Sequence, residues 1–476
     1  MPENEPSLSP LLAPLRSACT TQFSQLKSHF QASGDGAAVL RLHSEEIDSL
    51  LQQIYPAAIS PELAPVQGGE ELCLAAVGGY GRAELFPFSD LDLLFVARDE
   101  RILKAARENI AAFARALWDL QLRVSHSART LEDCGRLHGG NLEFSVSLLD
   151  LRYVAGDRAI YEELRSATVP HMITRDGQDL ARNLIDRSLE RHAKHGKTIF
   201  HLEPDVKESP GGLRDFHAAR WLGAIAEIRS GARPAPANDK RPAKEDQPVE
   251  DAVQFLSDVR CFLHFERDRN DNLLTYELHE SAARLGLGVR YGERMDAAEW
   301  MREYYRRVRS IERLSARATE DARPSRSSLY GLFLDWRSRL SNADFAVIHG
   351  KIFPRARGPA DWPLLLRMFE MMARHLLDLS REAERWMEES VAALSGGSAG
   401  GEWTSADSAA LWPALRDVLT LPGAADALRA MRQLGMLAAL IPEFRAVDSL
   451  VVRDFYHRYT VDEHTFRAIQ TLSDLK

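Results

Sequence analysis

The feature that most constrains the fold is a pair of short apolar segments joined by a glycine-rich turn. Residues 71–78 form an apolar run that ends in glycines, which is typical of a buried strand entering a tight loop. Residues 91–96 form a second run that is apolar on both faces, so we expect a central strand here. The segment therefore predicts two strands of one sheet.

The residues after this pair change periodicity. Ile102, Ile110 and Leu117 belong to an apolar series at helical spacing, which predicts an amphipathic helix of about five turns. Residues 120–127 predict a third strand. Strand, loop, strand, helix and strand in this order indicate an α/β or α+β unit with a small mixed sheet, and we predict the α+β class. Beyond residue 151 the pattern is almost entirely helical.

Changes of composition divide the chain into predicted segments. Four prolines between residues 230 and 250 stand among charged and small residues and indicate a flexible linker. Residues 395–401, SGGSAGG, indicate a second boundary. The predicted segments are an N-terminal helical region at 1–70, a sheet-containing domain at 71–229, the linker at 230–250, a helical domain at 251–394 and a further helical segment at 403–476.

Charge and cysteine content exclude several classes of protein. The 60 Lys and Arg residues are outnumbered by 69 Asp and Glu, giving a formal net charge of −9. Such a chain has no global attraction for nucleic acid or anionic lipid, so we expect no partner of either kind. The four cysteines form no CxxC pair, which disfavours a disulfide framework and favours a cytoplasmic protein. No signal-peptide pattern and no membrane-spanning apolar run is found.

Asp90 and Asp92 open the second predicted strand. Side chains alternate along a strand, so both carboxylates project from one face with their Cα atoms ~6.6 Å apart. Two like charges side by side favour a divalent cation, and Mg²⁺ suits them because it takes oxygen ligands and leaves positions for phosphate oxygens. In the alternative, the aspartates are solvated residues of a hairpin turn, which the apolar strand after them disfavours.

The turn before the aspartates is suited to phosphate groups. Gly78 and Gly79 carry no Cβ atom, so their backbone N–H groups can approach phosphate oxygens closely. Ser89 adds a hydroxyl directly before Asp90. Arg82 has two alternative roles, contact with a triphosphate or an internal salt bridge that fixes the loop. Glycines, a serine and a D-x-D pair in one strand–turn–strand unit together indicate a nucleotide site with a bound metal.

Residues 202–217 place further charges around a rigid Pro-Gly-Gly turn. If this turn lines the nucleotide cleft, Lys207 and Arg214 face the triphosphate, where a cation stabilises the charge that develops on a leaving pyrophosphate. In the alternative, the same charges form a salt-bridged hinge between domains.

These segments resemble a known family. Residues 78–95 (GGYGRAELFPFSDLDLLF) resemble the nucleotidyltransferase signature of bacterial PII-protein uridylyltransferases, within the DNA polymerase β-like superfamily. Residues 202–217 resemble a second hallmark of that family, and residues 441–444 with 456–465 resemble the run that leads into its HD phosphohydrolase domain. The resemblance implies a polymerase β-like nucleotidyltransferase domain at 71–229, followed by helical domains and the start of an all-α HD domain at 403–476.

The family transfers UMP from UTP to a tyrosine of the nitrogen-regulatory protein PII and removes it again, so the resemblance implies UTP and PII as partners here. It assigns the triphosphate to Gly78, Gly79 and Ser89, and the metal ions, Mg²⁺ or Mn²⁺, to Asp90 and Asp92. Adenylyl transfer at the same site and a non-catalytic nucleotide-binding sensor are the alternative functions. The complete glycine loop and D-x-D pair disfavour the sensor.

The superfamily usually adds a third carboxylate, and two residues here are candidates. Asp150 is the preferred one, with a structural role beside an arginine as its alternative. Glu84 is a poorer choice because the turn points it away from the other two carboxylates.

The last block implies part of an HD site. His464 matches the first metal ligand of that site, whereas His457 is expected to pack or cap. No His-Asp dipeptide follows His464, so we expect a protein that adds UMP and does not remove it. With an incomplete HD domain, Leu437, Leu440 and Ile441 are expected to be exposed.

Overall fold

The computed structural model describes residues 9–59, 71–137, 141–231, 247–322, 340–356, 358–396, 405–452 and 458–475. The chain divides into two compact units. Unit 1 comprises residues 1–199 and 203–323, and unit 2 comprises residues 200–202 and 324–476. Most of the predicted linker, most of the SGGSAGG boundary and His457 lie outside the described residues. The domain limits predicted from composition stay a prediction.

Unit 1 contains a mixed sheet, as the sequence predicts, but the sheet has four strands rather than the three expected. Its strands are β1 (Leu72–Ala76), β2 (Leu91–Ala97), β3 (Val124–Thr130) and β4 (Arg152–Gly156), in the spatial order β3-β2-β1-β4. β1 pairs antiparallel with both β2 and β4, whereas β2 and β3 run parallel.

Helices make up most of the rest of unit 1. They are α1 (Ser9–Ser33), α2 (Gly36–Ile59), α3 (Gly78–Gly81), α4 (Glu100–Ala105), α5 (Arg107–Asp119), α6 (Leu131–Cys134), α7 (Leu142–Ser147), α8 (Arg158–Glu163), α9 (Val169–Lys194), α10 (Leu213–Arg229), α11 (Gln247–Arg267), α12 (Tyr276–Leu285) and α13 (Ala297–Ala322).

Residues of β2 alternate between two apolar cores because successive side chains on a strand point to opposite faces. Phe95 packs with residues of α2 and α5 on one face of the sheet. Leu94 packs with residues of α9 and α10 on the other. Both side chains are fully buried, and each such burial contributes about 1.5–3 kcal/mol. Asp92, two residues before Leu94, lies on the α9–α10 face.

The structure differs from the sequence prediction in the helix after β2. One helix of about five turns was expected, but the chain forms α4 and α5, which are separated at Ala106. The third strand begins at Val124 rather than at residue 120, because Leu120 is the C-cap of α5 and Gln121 has a positive φ of 63°. The half-buried strand β4 was missed.

Unit 2 has a small sheet and a helical core. Its strands are β5 (Phe345–Ile348), β6 (Lys351–Pro354) and β7 (Asp378–Leu379), in that spatial order. Its helices are α14 (Trp362–His375), α15 (Arg381–Gly396), α16 (Ser405–Leu419), α17 (Ala424–Gln433), α18 (Met436–Leu440), α19 (Phe444–Val447) and α20 (Val461–Asp474). In the described part of the chain, no helix is both long and apolar enough to cross a membrane.

The prediction that Leu437, Leu440 and Ile441 are exposed is wrong for the first two. Leu437 and Leu440 are 2% and 3% exposed, because α18 packs into the apolar core of unit 2. Ile441 follows the helix and is exposed as expected.

Candidate active site

Asp90 and Asp92 lie at the start of β2, and the structure brings them together. Asp92 is opposite Ser125 of β3, while Asp90 directly precedes the strand and is exposed. Burial raises the pKa of the Asp92 carboxyl, and the charge of Asp90 raises it further. Lys207 and Arg82 act in the opposite direction. The half-buried Asp92 is therefore held beside a like charge, and a cation would relieve that repulsion.

Gly78 brings the turn against this pair of carboxylates. Its φ is +59°, and a Cβ atom there would lie 3.1 Å from Oδ2 of Asp92. Gly81 approaches the backbone even more closely, because a Cβ atom would lie 1.8 Å from the carbonyl oxygen of Asp150. At Gly79, between them, a Cβ atom would make only ordinary contacts. Close approach to the backbone therefore requires glycine at position 81, while the positive φ favours glycine at position 78.

Ser89 holds an unpaired hydroxyl beside the carboxylates. Its Oγ is buried and has no hydrogen-bond partner in the described part of the chain. Its backbone N–H, in contrast, donates to the carbonyl oxygen of Phe86 at 3.1 Å. A buried polar group without a partner costs about 1–3 kcal/mol, so a ligand that bonds to this hydroxyl is favoured.

Arg82 is paired inside the protein. Its Nε lies 2.7 Å from Oε2 of Glu84, and one Nη lies 2.6 Å from Oδ2 of Asp150. Burial alone would raise the pKa of Glu84, but Arg82 and His217 hold it well below its usual range. Of the two roles considered for Arg82, these ion pairs match the internal salt bridge. Contact with a triphosphate stays a prediction.

Asp150 belongs to the same ion-pair network. It ends a short 3₁₀ helix (Leu148–Asp150), and its Oδ2 also accepts a hydrogen bond from Nε1 of Trp221 at 3.0 Å. Burial raises the pKa of this carboxyl, although Arg82 lowers it. This is the arginine-paired arrangement considered as the alternative to a metal ligand. Asp92 has Ser125, rather than a carboxylate, opposite it on the neighbouring strand.

His217 completes this network and was missed by the sequence analysis. It lies on α10, with Nε2 2.9 Å from Glu84 and Nδ1 3.4 Å from Arg82. Burial lowers the pKa of His217 to about 4, and Arg82 acts in the same direction. In the sequence, His217 is distinguished only as the last residue of the second charged block. That position does not indicate its partner Glu84, which is 133 residues away.

The second charged block places Lys207 near Asp92. Asp205 orders this turn, because its Oδ1 accepts hydrogen bonds from the backbone N–H groups of Lys207 at 2.9 Å and Glu208 at 2.7 Å. Burial lowers the pKa of Lys207 to about 8. Its Nζ lies 3.9 Å from Glu208, which also pairs with Arg214 at 3.3 Å.

Arg260 is a further cation near Lys207 and was also missed. It lies on α11, and burial lowers its pKa to about 10. Arg260 and Arg214 both contribute to the lowered pKa of Lys207. The site therefore combines two carboxylates in need of a cation with a group of cations not fully neutralised by carboxylates.

The residues at this site fit a divalent metal held by two carboxylates together with phosphate oxygens. Among the residues that the structure describes, no group of three or more His, Cys, Asp or Glu could hold a metal ion. In the described residues Asp150 does not complete such a group with Asp90 and Asp92, and its role as a third carboxylate stays a prediction. Mg²⁺ is commonly held by one or two carboxylates together with phosphate oxygens, and the repulsion felt by Asp92 agrees with that arrangement.

His464 lies in unit 2, exposed in the first turn of α20. Its neighbours Asp462 and Glu463 are buried and pair with Arg432 at 2.6 Å and 3.3 Å. Within the described ranges these groups form no three-residue metal site. The HD domain is not confirmed, and the role of His464 as a metal ligand stays a prediction.

One family of known proteins matches the middle of the chain. Residues 179–319 match the family described as GlnD PII-uridylyltransferase. The match includes the Pro-Gly-Gly turn with Lys207 and Arg214, and it also includes Arg260.

Curated relatives extend the similarity along the chain, and three of them are each named bifunctional uridylyltransferase/uridylyl-removing enzyme. A relative from Rhodospirillum rubrum is 30% identical over 484 residues, which cover 100% of this chain and 50% of the relative. One from Cereibacter sphaeroides is 32% identical over 433 residues, which cover 89% of this chain and 45% of the relative. One from Ruegeria pomeroyi is 32% identical over 430 residues, which cover 88% of this chain and 46% of the relative. The chain thus spans about half the length of these relatives.

Proposed function

Because the chain is related along its whole length to the bifunctional uridylyltransferase/uridylyl-removing enzymes, we propose that it transfers UMP from UTP to a tyrosine of the protein PII. The nucleotide site is formed by the α3 turn, the start of β2 and the Pro-Gly-Gly turn. Gly78, Gly79 and Ser89 hold the phosphates, and Lys207 with Arg214 faces the leaving group.

One observation carries this proposal: the neighbouring side chains of Asp92 and Lys207 would be stabilised by ligands of opposite charge. Burial and Asp90 still raise the pKa of Asp92 despite Lys207 and Arg82, so a further cation is favoured there. Burial, Arg260 and Arg214 still lower the pKa of Lys207 despite Glu208 and Asp205, so a further anion is favoured there. A nucleoside triphosphate bound to a divalent metal supplies both at once. An anion alone would satisfy Lys207 and leave the carboxylates repelling each other.

Asp90 and Asp92 are the residues that would hold Mg²⁺ or Mn²⁺. When bound, such an ion neutralises charge on the triphosphate and on the attacking oxygen. Two carboxylates on one strand face fix its position relative to the glycine turn.

The reaction is an in-line displacement at the α-phosphorus of UTP. A bond forms between the tyrosine oxygen and the α-phosphorus, and the bond from that phosphorus to the bridging β-phosphate oxygen breaks. The electron pair leaves with pyrophosphate, and the hydroxyl proton passes to water. Lys207 and Arg214 stabilise the charge that develops on pyrophosphate, while the glycine turn and Ser89 orient the phosphates for attack.

The test is to incubate the chain and PII with Mg²⁺ and either UTP or ATP labelled at the α-phosphate. The proposal predicts label on a PII tyrosine from UTP. Label from ATP instead would replace uridylyl transfer with adenylyl transfer. Tight binding of UTP without transfer would favour a nucleotide-binding sensor.

A further inference from the structure

Arg260 is a buried cation without a carboxylate partner. It is 6% exposed, and in the described part of the chain it forms no ion pair. Buried arginines are normally paired, because an unpaired charge loses its hydration without compensation. Arg82 shows the usual arrangement with its two carboxylates. Asp205 and Glu208 act on the charge of Arg260 only without direct contact, so the lack of a bonded carboxylate requires an explanation.

The contacts of Arg260 orient its guanidinium group without neutralising it. Nε donates a hydrogen bond to Oδ1 of Asn272 at 2.7 Å. The central carbon of the guanidinium lies 3.9 Å from the ring centroid of Phe86, so the group stacks on that ring. The two terminal amino groups have no hydrogen-bond partner among the described residues.

This orientation places the guanidinium against the nucleotide turn. Phe86 lies in the turn three residues before Ser89, whose hydroxyl is also unpaired. His264, one helical turn after Arg260, contacts the carbonyl oxygen of Pro87. Thus α11 is attached to the same turn at two points.

Lys207 is the third donor with an incomplete set of partners. Its Nζ reaches Glu208 only at 3.9 Å, which is beyond hydrogen-bond distance. The positive charge of Arg260 also contributes to the lowered pKa of Lys207, and Lys207 in turn acts on Asp92. These electrostatic effects place Arg260, Lys207 and Asp92 in one continuous neighbourhood.

We propose that Arg260 is a phosphate-binding residue, which with Lys207 contacts the β- and γ-phosphates of the nucleotide. The inference rests on the proposed function and adds a residue to its site. A phosphate chain offers the unpaired amino groups several anionic acceptors, and the planar guanidinium can bond two oxygens at once. Stacking on Phe86 and the bond to Asn272 hold that plane ready before the nucleotide arrives.

The test compares binding of UTP and UMP to the wild-type chain and to Arg260→Met, in the presence of Mg²⁺ and without an acceptor protein. Methionine retains an apolar stem against Phe86 and removes the charge. We expect the dissociation constant of UTP to rise about 10- to 100-fold, from the loss of a hydrogen-bonded charge, while that of UMP changes less than threefold. The dissociation constant of UTP for Arg260→Lys should lie between those for the wild type and for Arg260→Met. Arg267→Met, a partly exposed arginine on the same helix, is the matched control and should bind both as the wild type does.

The outcomes separate this inference from the proposed function. Equal losses of UTP and UMP affinity in Arg260→Met and Arg260→Lys would show a structural role and overturn it, as would unchanged UTP binding. If the wild-type chain binds no UTP, the proposed function itself fails. If the wild-type chain binds UTP and the variants bind it equally well, only the role of Arg260 fails.

Discussion

Arg82 and Asp150, 68 residues apart in the sequence, form a buried ion pair of 2.6 Å beside the candidate nucleotide turn. Both side chains are less than 10% exposed, and Glu84 shares the arginine. Asp150 is also bonded to Trp221 of α10. The pair thus connects the glycine turn to α10, the helix that begins within the second charged block.

Removal of this arginine should strongly destabilise unit 1. In Arg82→Met, Asp150 becomes a buried charge without a cation and the half-buried Glu84 loses its arginine; breaking a buried pair costs about 3–5 kcal/mol. Urea unfolding of the full chain measures the change. Arg101→Met is the matched control, because its pair with Glu71 is largely exposed and should contribute less than about 1 kcal/mol. Similar small losses in both variants would contradict the role of the buried pair.

The proximity of the central residues of this candidate site can be predicted from the sequence because these residues are local, whereas their roles stay a prediction. The glycine turn, Ser89, Asp90 and Asp92 occupy one segment, and strand alternation alone puts the two carboxylates on one face. The structure brings these two together as expected. The surroundings of Asp150 could not be predicted in this way, because spacing along the chain does not show that Arg82 forms an ion pair with Asp150.

The parts that the sequence did not predict depend on distant contacts or on weak local patterns. Partners of His217 and Arg260 are supplied by other elements, so neither residue carries a local signal. The strand β4 has only half-buried residues apart from Val154, so it lacks the apolar run that identified β1 and β2. The hairpin of β5 and β6 has strands of four residues, too short to show a period.

Asp258 should make the stability of unit 1 depend on pH. Its Oδ1 accepts hydrogen bonds from the backbone N–H of Gly36 at 2.7 Å and from Gln254 at 2.8 Å. Burial raises the pKa of this carboxyl from its model-peptide value near 3.8 to about 7. The folded state therefore binds a proton that the unfolded state has released, and stability from this group falls as pH rises between these values.

The variant Asp258→Asn keeps the acceptor oxygen and removes the titration. Its free energy of unfolding, relative to the wild type, should increase from pH 4 to pH 7 and then level off, with a total gain of at least about 1 kcal/mol. Asp251→Asn, exposed on the same helix, is the control and should show no such trend. A constant difference between Asp258→Asn and the wild type across this range would contradict the prediction.

Lys207 should give UTP binding a distinct pH dependence. Its pKa is lowered to about 8 by burial, and a bound phosphate favours the charged form. The complex therefore retains a proton that the free protein loses above pH 8, so affinity for UTP should fall by about tenfold between pH 7 and pH 9. Isothermal titration at each pH measures it.

Lys207→Arg provides the control for this dependence, because an arginine remains charged throughout the range. Its affinity for UTP should change little from pH 7 to pH 9. Lys207→Gln should bind weakly at both pH values. The same fall in affinity in Lys207→Arg as in the wild type would assign the titration to another group.

The most direct test of the account is UMP transfer to PII by Asp92→Asn, measured with α-labelled UTP and Mg²⁺. The substitution removes a charge that Asp90 already repels, so urea unfolding should show a retained fold. Asp119→Asn, which changes an exposed carboxyl of unit 1, is the matched control. The account predicts label on a PII tyrosine with the wild type and Asp119→Asn, and at least a hundredfold less with Asp92→Asn. Equal labelling by Asp92→Asn and the wild type would contradict the proposal that these carboxylates hold the metal for nucleotidyl transfer.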